Sequence, residues 1–372
     1  MTLGSGEASR VETLHLAGPV RLGEDDVRAE AWVVDGRLTF EQPSGDVTRV
    51  EGWAVPGLVD VHCHVGLDSA GATSREVART QALADRDAGV LLVRDAGSPL
   101  DTTWVHDEPD LPRLVRCGSH LALPKRYLRD YGRELAEVAE LPDAVAQEAA
   151  RGDGWVKIVA DWIERSEGAS ADLRPLWPGD VLAAAVARAH DAGARVTAHT
   201  FSEEALPGLL AADIDCLEHG TGLTPSMIDE VAARGIAVTP TLLQVERFEA
   251  IAQQADGRYP VYAAHMRRMH ARRHAHVRDL FEAGVRLLVG TDAGGTIGHG
   301  QIAAECAELV AAGVPPLEVL AAASWRTRDY LGAPLLDEGV EADVVVYPAD
   351  PALDVAVLAA PSAVILRGRR VR

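Results

Sequence analysis

The sequence of 372 residues contains only four cysteines, and no two of them form a CxxC pair. This scatter argues against a disulfide framework and is typical of a reduced intracellular chain. No apolar run approaches the roughly 18 residues of a membrane span, and the N-terminus lacks the basic start and apolar stretch of a signal peptide. We therefore expect a cytoplasmic protein with no membrane partner. The cysteines are Cys63, Cys117, Cys216 and Cys306.

Basic residues are outnumbered in this chain: 36 lysines and arginines stand against 56 aspartates and glutamates, for a formal net charge of −20 at pH 7. Such an acidic surface repels the phosphates of nucleic acids, so we expect no nucleic-acid partner. The chain is 47% hydrophobic and 25% charged, the balance of a globular protein that buries a large core. A small-molecule substrate is the partner we expect, and the sequence is compatible with a homo-oligomer.

Short apolar runs alternate with longer helical patterns between about residue 57 and residue 331. This alternation predicts parallel strands joined by helices. Two of the helical patterns, 178–192 and 225–234, are followed or ended by Gly193 and Gly235, where a left-handed cap is needed. Eight strands over roughly 270 residues fit an α/β fold with a TIM-like (β/α)8 barrel. The predicted strands are 57–64, 90–95, 113–119, 155–160, 195–199, 214–219, 236–241 and 285–291.

The two ends of the chain have a different pattern. Residues 28–40 and 340–371 contain short alternating or wholly apolar segments separated by turn residues. The pair Asp35-Gly36 is a strong signal for a β-hairpin. Because chain ends often lie close together, we predict that they build one small β-sandwich domain with the barrel inserted between them. The predicted boundaries are 1–54 and 334–372 for the β domain and 55–333 for the barrel.

The segment VPGLVDVHCHV, residues 55–65, carries two histidines on the first predicted strand. Side chains alternate along a strand, so His62 and His64 point the same way and Cys63 points to the opposite face. At the carboxyl end of a barrel strand, two imidazoles on one face are well positioned to chelate a divalent metal. A histidine pair of this kind also occurs as polar surface or as hydrogen-bonded core groups.

Three further residues of metal-ligand type end later strands, namely His199, His219 and Asp292. A barrel collects its catalytic residues at this carboxyl face. Taken singly, each is also explained as a hydrogen-bonded histidine or, for Asp292, as a helix N-cap. The agreement of all four segments favours a metal site. Asp60 and Glu218, next to metal-ligand candidates, are candidate partners that orient imidazoles.

Lys157 lies in the middle of a predicted apolar strand, in the segment GWVKIVAD. An unpaired ammonium there carries a severe desolvation penalty and would be repelled by a nearby metal. A lysine whose pKa is lowered can react with carbon dioxide to give an anionic carbamate, which can bridge two cations. The alternative is a lysine paired with a buried carboxylate such as Asp161 or Asp95.

Five motifs occur together in the chain: PGLVDVHCHV, WVKIVAD, VTAHTF, CLEHGTG and LLVGTDAGG. With them the sequence resembles the amidohydrolase superfamily from about residue 50 to its end, where EADVVVYPADP and AVILRGRRV are similar to the family's C-terminal β-domain. Within the superfamily, AGVLLVRDAGSP and DIDCLEHGTGLTPSMIDEVAARGIAVTPTLL are most similar to the branch of imidazolonepropionase-like proteins and metal-dependent Xaa-Pro dipeptidases. Imidazolonepropionase resembles a one-metal design without the bridging lysine, so Lys157 favours the two-metal group.

The resemblance implies two divalent metal ions and an N6-carboxylated lysine. Imidazole, carboxylate and carbamate ligands suit zinc, our first candidate, and also manganese, cobalt, iron or nickel. The implied ligands are His62, His64 and Asp292 for the more buried ion, His199 and His219 for the second ion, and Lys157 between both.

Such a metal pair implies hydrolysis of an amide or peptide-type C–N bond by a bridging hydroxide. Asp292 would take the proton of the nucleophile and pass it to the leaving group. His120, at the end of the third predicted strand, would hydrogen-bond the carbonyl or the oxyanion. In the loop that would cover the site, Arg126 and Tyr127 would bind a substrate carboxylate, and Trp162 would form a pocket wall. The alternative to substrate contact is solvent exposure for His120, Arg126 and Tyr127. For Trp162 the alternative is core packing.

We therefore expect an enzyme, with a dipeptidase-like activity on an Xaa-Pro or N-acyl amino acid substrate as the first candidate. A mononuclear cyclic-amide hydrolase or deaminase, with Lys157 unmodified, is one alternative. A lactone, ester or organophosphate hydrolase is another, and a non-catalytic ligand-binding relative is the third.

One group of histidines is excluded from the predicted site. The stretch YAAHMRRMHARRHAHVRD has a helical pattern, lacks the glutamate of an HExxH motif and is rich in arginine. It predicts a charged, solvated helix face. The excluded residues are His265, His270, His274 and His276.

Overall fold

A computed structural model describes residues 12–372 of the chain. Within this range the backbone forms 24 β-strands and 11 α-helices, and four short 3-10 helices lie at Thr103–Asp107, Val138–Glu140, Arg165–Ser170 and Val355–Ala359. The strands are β1 Leu14–Ala17, β2 Val20–Arg21, β3 Val27–Arg28, β4 Ala31–Val34, β5 Arg37–Thr39, β6 Thr48–Glu51, β7 Trp53–Pro56, β8 Leu58–Cys63, β9 Leu67–Asp68, β10 Gly71–Ala72, β11 Val90–Asp95, β12 Arg113–Arg116, β13 Leu121–Ala122, β14 Arg133–Glu134, β15 Trp155–Val159, β16 Asp161–Ile163, β17 Leu173–Pro175, β18 Arg195–Thr200, β19 Cys216–His219, β20 Ala237–Thr239, β21 Arg286–Leu287, β22 Val344–Tyr347, β23 Ala363–Leu366 and β24 Arg369–Arg370.

The helices lie mostly between the strands of the central part of the chain. They are α1 Arg75–Asp87, α2 Leu141–Arg151, α3 Gly179–Asp191, α4 Leu206–Ala211, α5 Pro225–Arg234, α6 Leu242–Glu246, α7 Phe248–Ala255, α8 Pro260–Glu282, α9 Ile302–Ala311, α10 Pro316–Ala322 and α11 Trp325–Leu331.

All eight predicted strands of the central part are present, as β8, β11, β12, β15, β18, β19, β20 and β21. The first three form one parallel sheet, and the other five lie side by side in a second parallel sheet. The N–H of Val61 in β8 donates to the carbonyl of Val289, 3.0 Å away, which links the first strand to the segment that follows β21. This arrangement is the predicted α/β, TIM-like fold, and closure of its eight strands into a complete (β/α)8 ring stays a prediction.

The eighth predicted strand is shorter than expected. Only Arg286–Leu287 of the range 285–291 is regular strand. The residues beyond it change partner from one side to the other: Leu288 donates to the carbonyl of Val238, and Val289 accepts from Val61. The segment therefore runs between β20 and β8 without a continuous ladder to either.

Two helices have the bounds that their caps predict. The helix predicted over 178–192 corresponds to α3, Gly179–Asp191, and the helix predicted over 225–234 corresponds to α5, Pro225–Arg234. Gly193 and Gly235 follow them with φ angles of 73° and 67°, in the left-handed region where glycine carries no steric penalty.

Both ends of the chain contribute strands to two packed sheets. One sheet has the order β5-β4-β1-β6, and the other has the order β24-β23-β22-β7-β2-β3. Asp35 and Gly36 turn the β4–β5 hairpin with φ angles of 49° and 81°, as the sequence predicts. Because β7 reaches Pro56, the second sheet continues past the predicted limit at residue 54, and the division into two domains stays a prediction. The buried core of the two sheets includes Leu14, Leu16, Val33, Val344 and Ile365.

Ion pairs join these terminal sheets to the barrel. The guanidinium of Arg113, in β12, donates from Nε to Asp343, 2.7 Å away, and also pairs with Glu341. Asp343 is only 5% exposed, and its other oxygen accepts from the backbone N–H of Arg367 at 2.9 Å. One buried carboxylate therefore ties together a barrel strand and the C-terminal strands.

Candidate metal centre

The histidines of β8 face a carboxylate from the end of the eighth-strand segment. The Nε2 atoms of His62 and His64 each lie 3.1 Å from Oδ1 of Asp292. Both histidines are almost fully buried, and Asp292 has a left-handed φ of 58°. The three side chains bring their donor atoms within 4.8 Å of one another, which makes them a group able to hold a metal ion.

A second pair of imidazoles lies beside this group. His199 Nδ1 and His219 Nε2 are 3.0 Å apart, and the rings of His219 and His62 are centred 5.0 Å from each other. The other nitrogen of His219, Nδ1, lies 2.6 Å from Oγ1 of Thr241, which fixes the orientation of the ring. The four histidines predicted from separate strands are thus neighbours in space.

Lys157 faces the same side of the sheet as these imidazoles. In the parallel register of β15 and β18, Lys157 is paired with Thr197, and His199 follows two residues later. Side chains two residues apart in a strand point to the same face. The lysine is 1% exposed, and burial lowers the pKa of its amine although nearby carboxylates act in the opposite direction.

The amine of Lys157 has no hydrogen-bond partner within residues 12–372. Asp161, one of the two predicted partners, instead accepts hydrogen bonds from the segment 200–202. The other, Asp95, accepts from the backbone N–H of Gly97 at 3.0 Å. The pairing of Lys157 with either carboxylate is therefore absent from this part of the chain, and a buried amine is left facing the histidines.

Glu218 holds one of the imidazoles from behind. Its Oε2 atom lies 2.8 Å from Nδ1 of His62, and its Oε1 atom accepts from Arg94 and from Thr197. Neighbouring residues of a strand normally point to opposite faces, but the left-handed φ of 66° at His219 breaks the alternation, so both reach the site. The sequence analysis missed Arg94, whose only signal was a cation in the apolar run VLLVRD.

Asp60, the other predicted partner of the imidazoles, contacts backbone instead. It accepts from the N–H of His62 and of Thr291, each at 3.1 Å, and from the Thr291 hydroxyl at 2.6 Å. Burial raises the pKa of this carboxyl group to about 7. Its contacts join β8 to the residue that precedes Asp292.

The pKa shifts of three of the four histidines favour the neutral imidazole that binds a metal. Burial keeps the pKa of His199 and His219 well below the ordinary range and also lowers the pKa of His64. For His62, burial and Lys157 act to lower the pKa, but Asp292 and Glu218 outweigh them and the net shift is upward. Burial opposes ionisation of Asp292, but the neighbouring histidines hold its pKa well below the usual value. A buried set of imidazoles with one ionised carboxylate results.

His120 is buried against the first ligand group rather than exposed. Its ring stacks on that of His64 at 5.0 Å between centroids, and Tyr127 covers it at 5.4 Å. Neither ring nitrogen of His120 has a hydrogen-bond partner in the described residues. Burial keeps the pKa of this imidazole well below its ordinary value.

A cavity of about 60 Å³ opens above the ligand group. Tyr127 and Trp162, predicted as substrate contacts, both lie in its wall, as do Phe201 and Gln244, which were not predicted from the sequence. The full lining comprises His64, Leu67, Tyr127, Leu128, Tyr131, Trp162, His199, Phe201, Gln244, Asp292, Gly294, Gly295 and Thr296.

Arg126, the third predicted substrate contact, is turned away from this cavity. Its guanidinium pairs with Glu164 at 2.9 Å and donates to the carbonyls of Trp162 and Arg174 at 3.3 and 3.0 Å. These bonds anchor the loop that carries Tyr127 and leave the cation engaged. Arg126 therefore positions the cavity wall in this structure.

The excluded histidines lie on α8, and three of them are explained by surface pairing. His265, His270 and His274 pair with Asp172, Glu246 and Glu308, at 2.9, 3.2 and 2.8 Å. The fourth differs from the prediction of a solvated face. His276 is 6% exposed, and its Nε2 lies 3.0 Å from the carbonyl of Gly220.

Cys63 points away from its two histidine neighbours, as strand alternation predicts. Its Sγ atom lies 3.5 Å from Asp85 and 3.5 Å from His299. Asp85 and His299 already form an ion pair at 2.8 Å. Nε2 of His299 has no hydrogen-bond partner among the described residues, so this cluster on the outer side of β8 is only partly satisfied.

The donor set fits divalent metal ions. Four imidazoles and a carboxylate are the ligands that zinc and similar ions take in hydrolases. Two buried atoms that face this set, Nζ of Lys157 and Nε2 of His199, have no partner among the described residues. Buried polar atoms of this kind are normally satisfied, so their position indicates a missing ligand.

Comparison with known proteins agrees with this fold. The model of the Amidohydrolase family matches residues 53–371. An uncharacterized protein of Mycobacterium tuberculosis, and one of Mycobacterium bovis, are each 51% identical over 363 residues, which cover 97% of this chain and 96% of the relative.

Two solved structures show the same fold. A Xaa-Pro dipeptidase with bound methionine has a TM-score of 0.81 at 22% identity, over 97% of this chain and 99% of that chain. The ochratoxinase of A. niger has a TM-score of 0.80 at 19% identity, over 97% and 96%.

No helix between residues 12 and 372 combines the length and the apolar character needed to cross a bilayer. The family match covers both the barrel and the C-terminal strands. The chain belongs to the Amidohydrolase family and is a hydrolase that acts on carbon–nitrogen bonds.

Proposed function

We propose that the chain hydrolyses the amide bond of a small molecule with two divalent metal ions, zinc being the first candidate. When bound, such ions lower the pKa of water and polarise the substrate carbonyl. The proposed ligands are His62, His64 and Asp292 for one ion, His199 and His219 for the other, and a carboxylated Lys157 between them.

The observation that carries this proposal is the buried, unpartnered amine of Lys157. The chain uses arginine almost throughout, since only two of its 36 basic residues are lysines, Lys125 and Lys157. A guanidinium stays protonated, whereas a neutral amine is a nucleophile. The lone pair of Nζ can form a bond to the carbon of carbon dioxide while the nitrogen loses a proton. The product is a carbamate, whose two oxygens supply the anionic ligand that the donor set needs.

Three side chains of the site then have distinct roles. Asp292 is held ionised by the histidines, so it can accept the proton of the attacking water and return it to the leaving nitrogen. Glu218 and Arg94 hold His62 in orientation. His120 is our candidate for a contact to the substrate carbonyl, because both of its ring nitrogens lack a partner among residues 12–372.

A dipeptidase acting on Xaa-Pro or N-acyl amino acid substrates is the finer form of this proposal. The resemblance of the motifs to metal-dependent Xaa-Pro dipeptidases supports it. Tyr127 and Trp162 would contact such a substrate from the cavity wall. Arg126, whose cation is engaged elsewhere, would act only through the position of its loop.

The test combines metal analysis with hydrolysis of a panel of dipeptides, N-acyl amino acids and anilides. We expect two ions per chain, and we expect Lys157→Met to lose at least half of the metal and about 100-fold or more of the activity. Short carboxylates such as formate should restore part of both. Lys125→Met is the matched control, since it removes the other lysine, which lies on the exposed loop.

Two results would contradict the proposal. Full metal content in Lys157→Met would remove this residue from the ligand set. One ion per chain, with no incorporation of labelled bicarbonate at Lys157, would favour the mononuclear alternative.

A further inference from the structure

The cavity above the ligand group has aromatic walls. The rings of Tyr127 and Trp162 meet edge to face with centroids 4.8 Å apart, and Tyr131 lies 6.3 Å from Tyr127. Phe201 closes the far side, with its ring 4.4 Å from that of His199. A flat, apolar group placed against these rings gains both burial and aromatic contact.

This lining carries no cation: within the described part of the chain, no lysine or arginine contributes to the wall. Its polar groups other than the proposed ligands are uncharged: the hydroxyls of Tyr127 and Tyr131, the indole N–H of Trp162, and the side chains of Gln244 and Thr296. The nearest cation in sequence, Arg126, is held by Glu164 and two carbonyls. Lys125 is exposed and lies outside the wall.

The approach to the cavity is acidic. A neighbouring groove shares Leu67, Gly294 and Thr296 with the cavity wall, and its own lining includes Asp68 and Glu76. An anion that enters along this groove meets like charge, and the net charge of −20 adds to the repulsion at long range.

These features bear on the group attached to the leaving nitrogen. In a dipeptide or an N-acyl amino acid, a carboxylate lies two bonds from that nitrogen. In this cavity the charge would be removed from water among aromatic rings, with no lysine or arginine in the wall to pair with it. A neutral aromatic amine would contact the same rings without that penalty.

We propose that the preferred substrates are neutral aromatic amides, such as anilides, N-aryl ureas or N-aryl carbamates, rather than dipeptides or N-acyl amino acids with a free carboxylate. This inference rests on the proposed hydrolytic function and replaces its dipeptidase form. In the reaction on an anilide, the oxygen of water bonds to the acyl carbon, the C–N bond breaks, and the nitrogen leaves as an aniline with one proton taken from the water. The other product is the carboxylic acid, ionised at neutral pH.

The test compares matched pairs on the metal-loaded protein. One pair is an N-acetyl anilide with a para-carboxamide against the same anilide with a para-carboxylate. The second is alanyl-phenylalaninamide against alanyl-phenylalanine. We expect kcat/KM to be at least about tenfold higher for the neutral member of each pair, and the anilide to exceed the dipeptide amide. Equal rates or a preference for the carboxylate would overturn the inference.

A charge introduced into the wall gives an independent readout. Gln244→Lys places an ammonium in the lining, and Gln244→Met has similar length without the charge. We expect Gln244→Lys to raise kcat/KM for the carboxylate member of each pair, and so to reduce the ratio of kcat/KM between the neutral and the carboxylate member. Gln244→Met should keep the ratio of the natural protein. If Arg126→Gln alone abolished use of the carboxylate substrates, the cation of Arg126 would be their receptor and the inference would be wrong.

Binding separates this inference from the proposed function. Titration calorimetry on Asp292→Asn with 4-aminobenzamide and 4-aminobenzoate measures recognition without turnover. Tighter binding of the neutral ligand, with no hydrolysis of any amide by the natural protein, would support the cavity argument and reject the proposed chemistry. Hydrolysis of amides by the natural protein, with tighter binding of 4-aminobenzoate than of 4-aminobenzamide, would support the proposed chemistry and reject the preference for neutral substrates.

Discussion

Histidine occurs in two kinds of buried environment in this protein. His199 and His219 face each other and a group of donor atoms, and burial leaves them as neutral imidazoles ready to bind a cation. His276, on α8, contacts the carbonyl of Gly220 and carries out no proposed chemistry. Its burial and the neighbouring Arg272 lower its pKa from 6.5 to about 4.

The pH dependence of stability should contain a contribution from His276. Between these two pKa values the unfolded chain binds a proton at this residue and the folded chain does not, so acid favours unfolding. We expect the burial of His276 to leave stability unchanged above about pH 7. By about pH 5 it should lower the unfolding free energy by about 2 kcal/mol. In His276→Gln, urea unfolding should show a smaller loss of stability over this interval.

His274→Gln is the matched control for this measurement. Its histidine lies one half-turn away on the same helix and pairs with Glu308 at the surface. A pH profile that changes equally in both variants would contradict the assignment to burial.

The geometry of the metal centre depends on how closely two elements approach. Gly290, in the segment after β21, lies against β8. A Cβ atom at this position would stand 2.6 Å from Cβ of His62 and 2.7 Å from Cγ2 of Thr239, closer than nonbonded carbons allow. Glycine is required here by contact rather than by its backbone angles.

Gly290→Ala should therefore push the eighth-strand segment away from β8. We expect a loss of about 1–3 kcal/mol in unfolding free energy and a weaker affinity for metal, because His62 and Asp292 lie on the two displaced elements. Chemical denaturation and metal titration measure the two effects. Gly179→Ala, at the start of α3, is the control, since its added Cβ would meet nothing within 4 Å. Equal unfolding free energies and equal metal affinities in the two variants would show that a Cβ atom at residue 290 is tolerated.

Sequence patterns predicted the barrel elements well because burial on both faces leaves a strong apolar signal, as in β8 and β11. They singled out the histidines proposed as ligands because each lies at the end of such a strand. They do not encode the one backbone angle that lets two strand neighbours reach the site: Glu218 is paired in register with His199 and shares its face, and the left-handed φ of His219 turns its side chain there against the rule of alternation. They also gave no sign that Arg126 would turn to Glu164, since loop pairing depends on contacts between distant segments.

At the scale of the whole molecule, the terminal sheets and the barrel share a buried charge. Asp343 accepts from Arg113 of β12 and from the backbone of Arg367. Arg328, 3% exposed, lies 3.8 Å from the same carboxylate and donates to the carbonyl of Gly57. Removal of this one anion leaves the buried guanidinium of Arg328 without its counter-ion and leaves Arg113 with Glu341 alone.

Asp343→Asn should destabilise the protein by about 2–3 kcal/mol, since a broken buried pair leaves an uncompensated charge. Glu341→Gln removes the other partner of Arg113. Because the side chain of Glu341 is 46% exposed, this change should lower the unfolding free energy by less than about 1 kcal/mol. Thermal or urea unfolding of both variants measures the difference. A larger loss for Glu341→Gln would mean that the junction depends on its surface pair.

The chain's scarcity of lysine has a practical consequence. Of the two ε-amines, one is buried at the metal centre, and the other belongs to Lys125, two residues before Tyr127 in the cavity wall. Apart from the α-amine, an acylating dye therefore finds a single side chain to modify on the folded protein. A fluorophore attached there would stand at the rim of the cavity and report the arrival of a ligand by its emission, with no residue introduced for the purpose.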